Sequence, residues 1–433
     1  MTSSHRSFQD PRSLDPSQRV VITGVGAVTP LGLDVPSFWA ALLRGDSGAA
    51  EIKSFDASTY DTKFACELKG FDALRYVERK LANRLDPVCH YALAATAEAL
   101  RDAAVDPAAM SEDERNRVGV VLGTGIGGIQ AFQKQSVTFV QHGHKRLSPF
   151  FIPTMIADMG PGIVSMQYGF RGPNHCAVSA CATGNHNLAD ALMLIRSGQA
   201  EMIVTGGTEA AICELGVGGF NAAKALSTRN DEPTRASRPF DRGRDGFVMG
   251  EGAGSIIVES LEHARARGVR IYAEVLAVGA SADAYHMTAP HPEGIGARLA
   301  MQRALEQSHV DPSEVDSLNM HGTSTQLGDI AETRAVREVF GAHADRLVAT
   351  STKSMTGHAL GAAGAIEAIA TVLSITNGIV PPTINGDDPD PACDINIAFN
   401  TAVHRPVRIA MSNAFGFGGH NTCAVFAAFD DAT

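Results

Sequence analysis

Positive charge is the first thing in short supply. Lysine and arginine total 36 against 47 aspartates and glutamates, a formal charge of −11 at pH 7. A general nucleic-acid binder needs a basic face, so that class is excluded. An acidic partner would have to find a local basic patch. Cysteine is sparse too. Seven thiols, odd in number and scattered, contain no C-x-x-C pair. They offer neither a disulfide nor a zinc framework, no metal site is expected, and they fit a reducing cytoplasm. Long apolar runs are missing. The nearest, over residues 360–382, is broken by Glu367 and Asn377, so it reads as a core helix and no membrane insertion is expected. Residues 1–18 lack an apolar h-region and read as a loose, flexible tail or leader.

Apolar residues are plentiful, at 44% with only 19% charged, enough for a large core. Strand patterns over residues 19–25, 117–122, 202–207 and 254–259 alternate with helical ones. A second series follows over 270–279, 315–320, 347–349, 395–400, 408–412 and 422–429. Such alternation means α/β with mostly buried strands. The series look alike, which suggests a duplicated fold with halves 19–269 and 270–430. In each, a polar turn precedes a helix: Ser179-Ala180-Cys181 in the first and Ser351-Thr352-Lys353 in the second.

Gly123, Gly125 and Gly128 match G-x-G-x-x-G after a strand. A dinucleotide site also needs a second strand ending in an acid about 20 residues on. Residues 142–147 supply neither, so a nicotinamide cofactor is excluded and the glycines are expected to allow close backbone approach.

The chemistry gathers on three turns. Cys181 precedes Leu188, Ala189, Leu192, Met193 and Ile195 at helical spacing, which puts it at a helix start. There the unpaired N–H groups and the dipole favour a thiolate nucleophile. A buried small apolar side chain is the alternative reading. His321 ends a predicted strand, and Lys353 and His358 precede an Ala/Gly helix. Neutral imidazoles can donate hydrogen bonds to a developing oxyanion. A cysteine with two histidines suits acyl transfer followed by carbanion chemistry. Arg75, Arg79, Lys80 and Arg84 are spaced to share a helical face. It is either an ordinary solvated face or a docking site for an acidic partner.

The stretches VSACATG, HGTSTQLGD, STKSMTGHALGAAG and NAFGFGGHN, with residues 219–254, resemble the signatures of β-ketoacyl-[acyl-carrier-protein] synthases of the type II branch. The likeness runs from about Arg19 to Phe429. It implies a thiolase-like five-layer αβαβα fold of two pseudo-duplicated halves. It also implies condensation of an acyl thioester with malonyl-[acyl-carrier-protein] in fatty-acid synthesis. By the resemblance Cys181 carries the acyl group, and His321 and His358 promote decarboxylation. Lys353 holds the histidines through an ion pair with Glu367. The N–H groups of Cys181 and Phe417 form the oxyanion hole, and Phe417 gates the cysteine. Thr323 and Thr325 meet the pantetheine arm, and Ile126 and Phe220 line the acyl pocket. Lys80, Arg84 and Lys224 dock the carrier protein. The implied state is a homodimer without a cofactor of its own, since 4'-phosphopantetheine arrives on the carrier. His420, where the family commonly has threonine, Ala182 and Asn185 depart from the pattern and bear on acyl preference. A ketosynthase of a polyketide or specialised lipid pathway is the alternative. A non-catalytic chain-length partner would lack the active cysteine, so Cys181 argues against it.

Overall fold

The structure, a computed structural model, describes residues 8–430. Ten strands form one continuous sheet. Five come from the first half: β1 (Val20–Val28), β2 (Val118–Gly123), β3 (Asn174–His175), β4 (Met202–Glu209) and β5 (Gly252–Ser260). Five come from the second: β6 (Ala273–Ala282), β7 (Ser317–Asn319), β8 (Val348–Thr350), β9 (Ile409–Gly416) and β10 (His420–Ala427). The order across the sheet is β8-β7-β9-β10-β6-β1-β5-β4-β2-β3. Outward from the centre, each half therefore runs first, fifth, fourth, second, third strand. Strand directions repeat as well: the first–fifth and fifth–fourth pairs are antiparallel and the outer pairs parallel. The halves meet where Val21 and Ile22 pair with Glu274 and Ala273. Residues 395–400, expected as a strand, contribute only isolated bridges, Ile397 to Ala349 and Phe399 to Thr383.

Seven of the helices among the described residues bear on the site and its layers: α1 (Pro87–Asp102), α2 (Ile129–His142), α3 (Met159–Tyr168), α4 (Thr183–Arg196), α5 (Ile295–Ser308), α6 (Gln326–Phe340) and α7 (Ala363–Asn377). Helices α1 and α3 cover the outer face of the first half, and α5 and α6 that of the second. Between the half-sheets lie α4 and α7, giving five layers. This position explains the apolar 360–382 stretch. Leu360–Asn377 has a mean hydropathy of 1.4, enough for a membrane span by composition, yet it is buried inside the protein.

The central helices cross at glycines. A Cβ on Gly184 would lie 2.6 Å from the Ala365 nitrogen, and one on Gly364 would lie 3.0 Å from Asn185 Oδ1. Any side chain would push the helices apart. Each helix is preceded by a tight turn, Ala180–Ala182 or Leu360–Ala362, opened by a residue of left-handed backbone, Ala180 at φ 50° and Leu360 at φ 46°. The counterpart of Cys181 in the second half is thus Gly361. Ser351-Thr352-Lys353, expected as that counterpart, instead leads into a separate short helix, Lys353–Thr356. Residue type alone matched the two sequences; the backbone places the counterpart of Cys181 eight residues further on, at Gly361 and not Lys353.

Of the loose tail expected over 1–18, residues 1–7 lie outside the described residues, and from residue 8 on the segment leading into β1 is held. Asp10 caps the turn Pro11–Ser13, and Arg12 donates to the His309 carbonyl at 3.2 Å. The buried Arg19 guanidinium pairs with Glu274 at 2.8 Å. These contacts pin the lead-in to the second half.

Candidate active site

A cavity of about 600 Å³ runs in between the halves, with Cys181, His321, His358, Phe220 and Phe417 among its walls. Cys181 sits in the turn before α4 with its side chain buried. Burial pushes its thiol up to about 12, against the pull of the Lys353 charge and the Phe417 backbone N–H. The thiolate expected from a helix start is therefore not the resting form. Loss of water outweighs the nearby positive ends.

His321 follows β7. Its backbone N–H and that of Gly322 each donate to Glu332 of α6 at 2.8 Å. Asn413 of β9 donates to the same carboxylate at 3.0 Å. The imidazole Nδ1 accepts the Phe415 N–H at 3.3 Å, so the neutral ring carries its proton on Nε2. His358 is held by its backbone, which donates to the Val248 carbonyl at 2.7 Å and accepts from Gly250 at 2.9 Å. The two imidazoles stand edge to face with centroids 5.3 Å apart. Loss of solvent and the Lys353 charge push both well below the ordinary histidine range, so both are neutral at neutral pH.

Lys353 and Glu367 of α7 form an ion pair with both side chains almost fully buried. Burial raises the Glu367 carboxyl to about 7 while Lys353 pulls it down. A buried ammonium is tolerable only with such a partner.

Phe417 lies in the loop between β9 and β10, at the foot of which Gly416 touches the nucleophile's turn. A Cβ at Gly416 would come within 2.5 Å of the Ser179 carbonyl. The closeness lets the Phe417 N–H reach the Cys181 sulfur. The Phe417 ring is tilted against Phe220 at 6.3 Å, and Phe220 meets Phe247 edge-on at 5.3 Å. Ile126 lines the cavity. Thr323 and Thr325 also line it, their hydroxyls 3.0 Å apart.

Lys224 is exposed at the cavity rim. Lys80 and Arg84 do not line that cavity. Nor do Arg75, Arg79, Lys80 and Arg84 share one helix. Arg75 ends the turn Ala73–Arg75, Arg79 and Lys80 lie in the four-residue helix Arg79–Ala82, and Arg84 falls beyond it. Val77 and Ala82 are drawn into the core between them, which breaks the run. Arg84 stacks over the Phe150 ring at 4.4 Å.

Two buried carboxyls escaped the sequence reading. Glu332 organises the His321 turn as described. Glu209, which ends β4, accepts from Thr124 Oγ1 at 2.7 Å, Gly125 N at 2.8 Å and Gly361 N at 2.9 Å. It joins the glycine-rich turn after β2 to the turn before α7, and burial raises it to about 7. The close backbone approach expected at Gly125 is here: a Cβ would meet Glu209 Oε2 at 2.8 Å. The available signal was an acid closing an otherwise apolar strand. Among the described residues, no group of three or more His, Cys, Asp or Glu side chains is arranged to hold a metal ion.

Two five-strand halves of the same topology, with a cysteine turn and a histidine pair facing one cavity between them, define the thiolase-like fold. Residues 17–264 match the family model for the beta-ketoacyl synthase N-terminal domain, and residues 272–387 match that for its C-terminal domain. The chain belongs to the beta-ketoacyl synthase family. A Synechocystis protein named 3-oxoacyl-[acyl-carrier-protein] synthase 2 is 47% identical over 409 residues, covering 94% of this chain and 98% of its own. A solved beta-ketoacyl synthase from Burkholderia phymatum superposes with a TM-score of 0.88 at 34% identity, covering 95% of this chain and all of that one. A type II polyketide ketosynthase, solved in complex with its acyl-carrier protein, gives 0.88 at 33% identity, with coverage of 95% and 100%.

Proposed function

We propose that the protein condenses an acyl thioester with malonyl-[acyl-carrier-protein], releasing CO2, 3-oxoacyl-[acyl-carrier-protein] and free carrier protein, in the elongation step of fatty-acid synthesis. One observation carries the reading: a thiol, the Phe417 amide and two neutral imidazoles share one cavity. The 47% identity to a 3-oxoacyl-[acyl-carrier-protein] synthase 2 supports the pathway.

In the first step Cys181 Sγ attacks the thioester carbonyl. The N–H groups of Cys181 and Phe417 receive the oxyanion, and the thiol proton leaves with the carrier thiol. Malonyl then enters. Its carbon–carboxylate bond breaks, CO2 departs, and the electron pair becomes an enolate on the thioester oxygen. The His321 Nε2–H and the His358 ring stabilise that oxygen. The carbanion attacks the Cys181 thioester, the carbon–sulfur bond breaks, the sulfur leaves as thiolate, and one proton from solvent restores the Cys181 thiol for the next cycle. Lys353 and Glu367 position the rings and take no proton in the cycle. Stray water would quench the carbanion, which gives the Phe417 loop its gating role. Ile126 and Phe220 bound the acyl chain. Thr323 and Thr325 meet the pantetheine arm, which belongs to the carrier, so no resident cofactor is required.

The carrier docks through Lys224, with Lys80 and Arg84 as outlying contacts. A structural neighbour was solved with its acyl-carrier protein, which supports that partner. A second copy of the chain covers the first-half edge. Helix α2 has no buried residue and exposes Phe132, Phe139 and Val140, while β3 is an outer strand with both residues exposed. A large apolar face beside an open sheet edge is an interface waiting for a partner. The polyketide neighbour favours a second reading, in which the same chemistry serves a specialised pathway.

The test is intact-protein mass spectrometry after incubation with acyl-carrier protein thioester. An acyl adduct on Cys181 is expected. Retained condensation by Cys181→Ala would overturn the mechanism.

A further inference from the structure

The segment from Ser237 to Gly246 belongs to the first half in sequence but lies against the second. Ser237 Oγ donates to the Lys353 carbonyl at 2.7 Å, and the Arg238 N–H donates to Ser324 Oγ at 3.0 Å. The Phe240 N–H donates to Asp329 of α6 at 2.9 Å. The Gly246 N–H donates to the Ser324 carbonyl at 3.1 Å. Ser324 is fully buried at a left-handed φ of 67°. Its neighbours on either side, Thr323 and Thr325, both line the cavity. A serine keeps that backbone only where its surroundings hold it.

Arg244 is the centre of this strap, with its side chain 1% exposed. Nε donates to the Thr325 carbonyl at 3.2 Å and Nη2 to the Gln326 carbonyl at 3.1 Å. Nη1 donates to the Asp241 carbonyl at 2.7 Å and to Asp390 at 2.8 Å. Asp329 lies 3.4 Å away and with Asp390 balances the buried charge. A rigid fork can bridge two successive carbonyls; a lysine ammonium cannot reproduce that geometry.

A second observation points to a ligand. Thr325 is the N-cap residue of α6, where a threonine hydroxyl ordinarily accepts a helix N–H. Its side chain makes no such bond. The hydroxyl instead meets that of Thr323 at 3.0 Å on the cavity wall. The helix start forgoes its own cap, and Arg244 secures the backbone there.

We propose that Arg244 is a positioning residue for the thioester arm. By fixing the carbonyls of Thr325 and Gln326 it holds the paired threonine hydroxyls toward an amide-bearing arm in the cavity. The inference rests on the cavity being the entry for a pantetheine thioester. Arg244 touches no substrate; it acts through the turn, and its benefit is orientation of a bound arm.

The experiment follows acylation of Cys181 by mass, using hexanoyl-pantetheine and, as a thioester without an amide arm, hexanoyl thiophenol. Arg244→Lys is expected to slow acylation by the pantetheine thioester about tenfold and to leave the thiophenol ester within about twofold. Asp390→Asn, which weakens one anchor of the same guanidinium, is expected to slow the first about threefold, again sparing the second. Equal slowing of both esters, or of neither, overturns the assignment. If Arg244→Lys does not fold, the Asp390→Asn ratio decides alone. If the wild-type protein is acylated by neither ester, the reading of the cavity itself has failed.

Discussion

The Phe415 N–H donates to Nδ1 of His321 at 3.3 Å. That bond turns the Nε2–H outward as the working donor, and it ties the ring to the strand that runs on into the Phe417 loop. Glutamine places an amide N–H near the Nε2 position; alanine places nothing there. His321→Ala should cost malonyl decarboxylation about 10²–10³-fold, the range for losing one oxyanion donor, and His321→Gln should recover roughly tenfold of it. CO2 release from malonyl-carrier protein is the assay. Identical losses in both variants would show that the ring contributes something other than its donor.

The neutrality of the two imidazoles has a pH signature. Both are held well below 6.5 by loss of solvent and by Lys353. A step that needs them neutral should keep its rate as pH falls through 6.5 and lose it only at lower pH. Lys353→Met removes a positive charge, so the acidic limb should move up. A wild-type half-loss at 6.5 would mean that water reaches the rings freely.

The Cys181 thiol behaves oppositely. With its pKa near 12, alkylation by iodoacetamide should climb about tenfold per pH unit from 7 to 10 without a plateau. A helix-start thiolate would level off near neutrality. The measurement therefore weighs burial against the helix dipole on one atom.

Much of this was legible in the chain. The strand–helix alternation carries the α/β class, and the two similar series carry the duplication. Cys181, His321 and His358 sit in turns whose glycines and flanking apolar runs mark strand and helix ends. Three things were not legible. The true counterpart of Cys181 is Gly361, which has no reactive side chain to notice. Glu209 and Glu332 do their work through backbone N–H groups of other turns, and an acid closing a strand or lying within a helix does not by itself name those partners. The basic run near residue 80 has helical spacing, but Val77 and Ala82 turn inward to the core and break it.

Carrier docking separates the basic candidates. Lys224→Glu at the cavity rim should raise the KM for carrier-bound thioester several-fold with little change in kcat, and the penalty should shrink at high salt. Lys80→Glu and Arg84→Glu should act more weakly, since neither lines the cavity. A salt-independent loss in Lys224→Glu would place its effect on the fold.

Lys353 and Glu367 allow stability and activity to be pulled apart. Glu367→Gln leaves a buried ammonium with a weaker partner and should cost up to about 3–5 kcal/mol in denaturant unfolding. Replacing the pair by Lys353→Met with Glu367→Leu removes both charges from the same apolar surroundings, and stability should return to within about 1 kcal/mol of wild type. Decarboxylation should not return in full, because the ion pair proposed to position the His321 and His358 rings is gone, while burial, the larger cause, still keeps them neutral. If the double variant regained activity along with stability, the ion pair would be serving the fold alone.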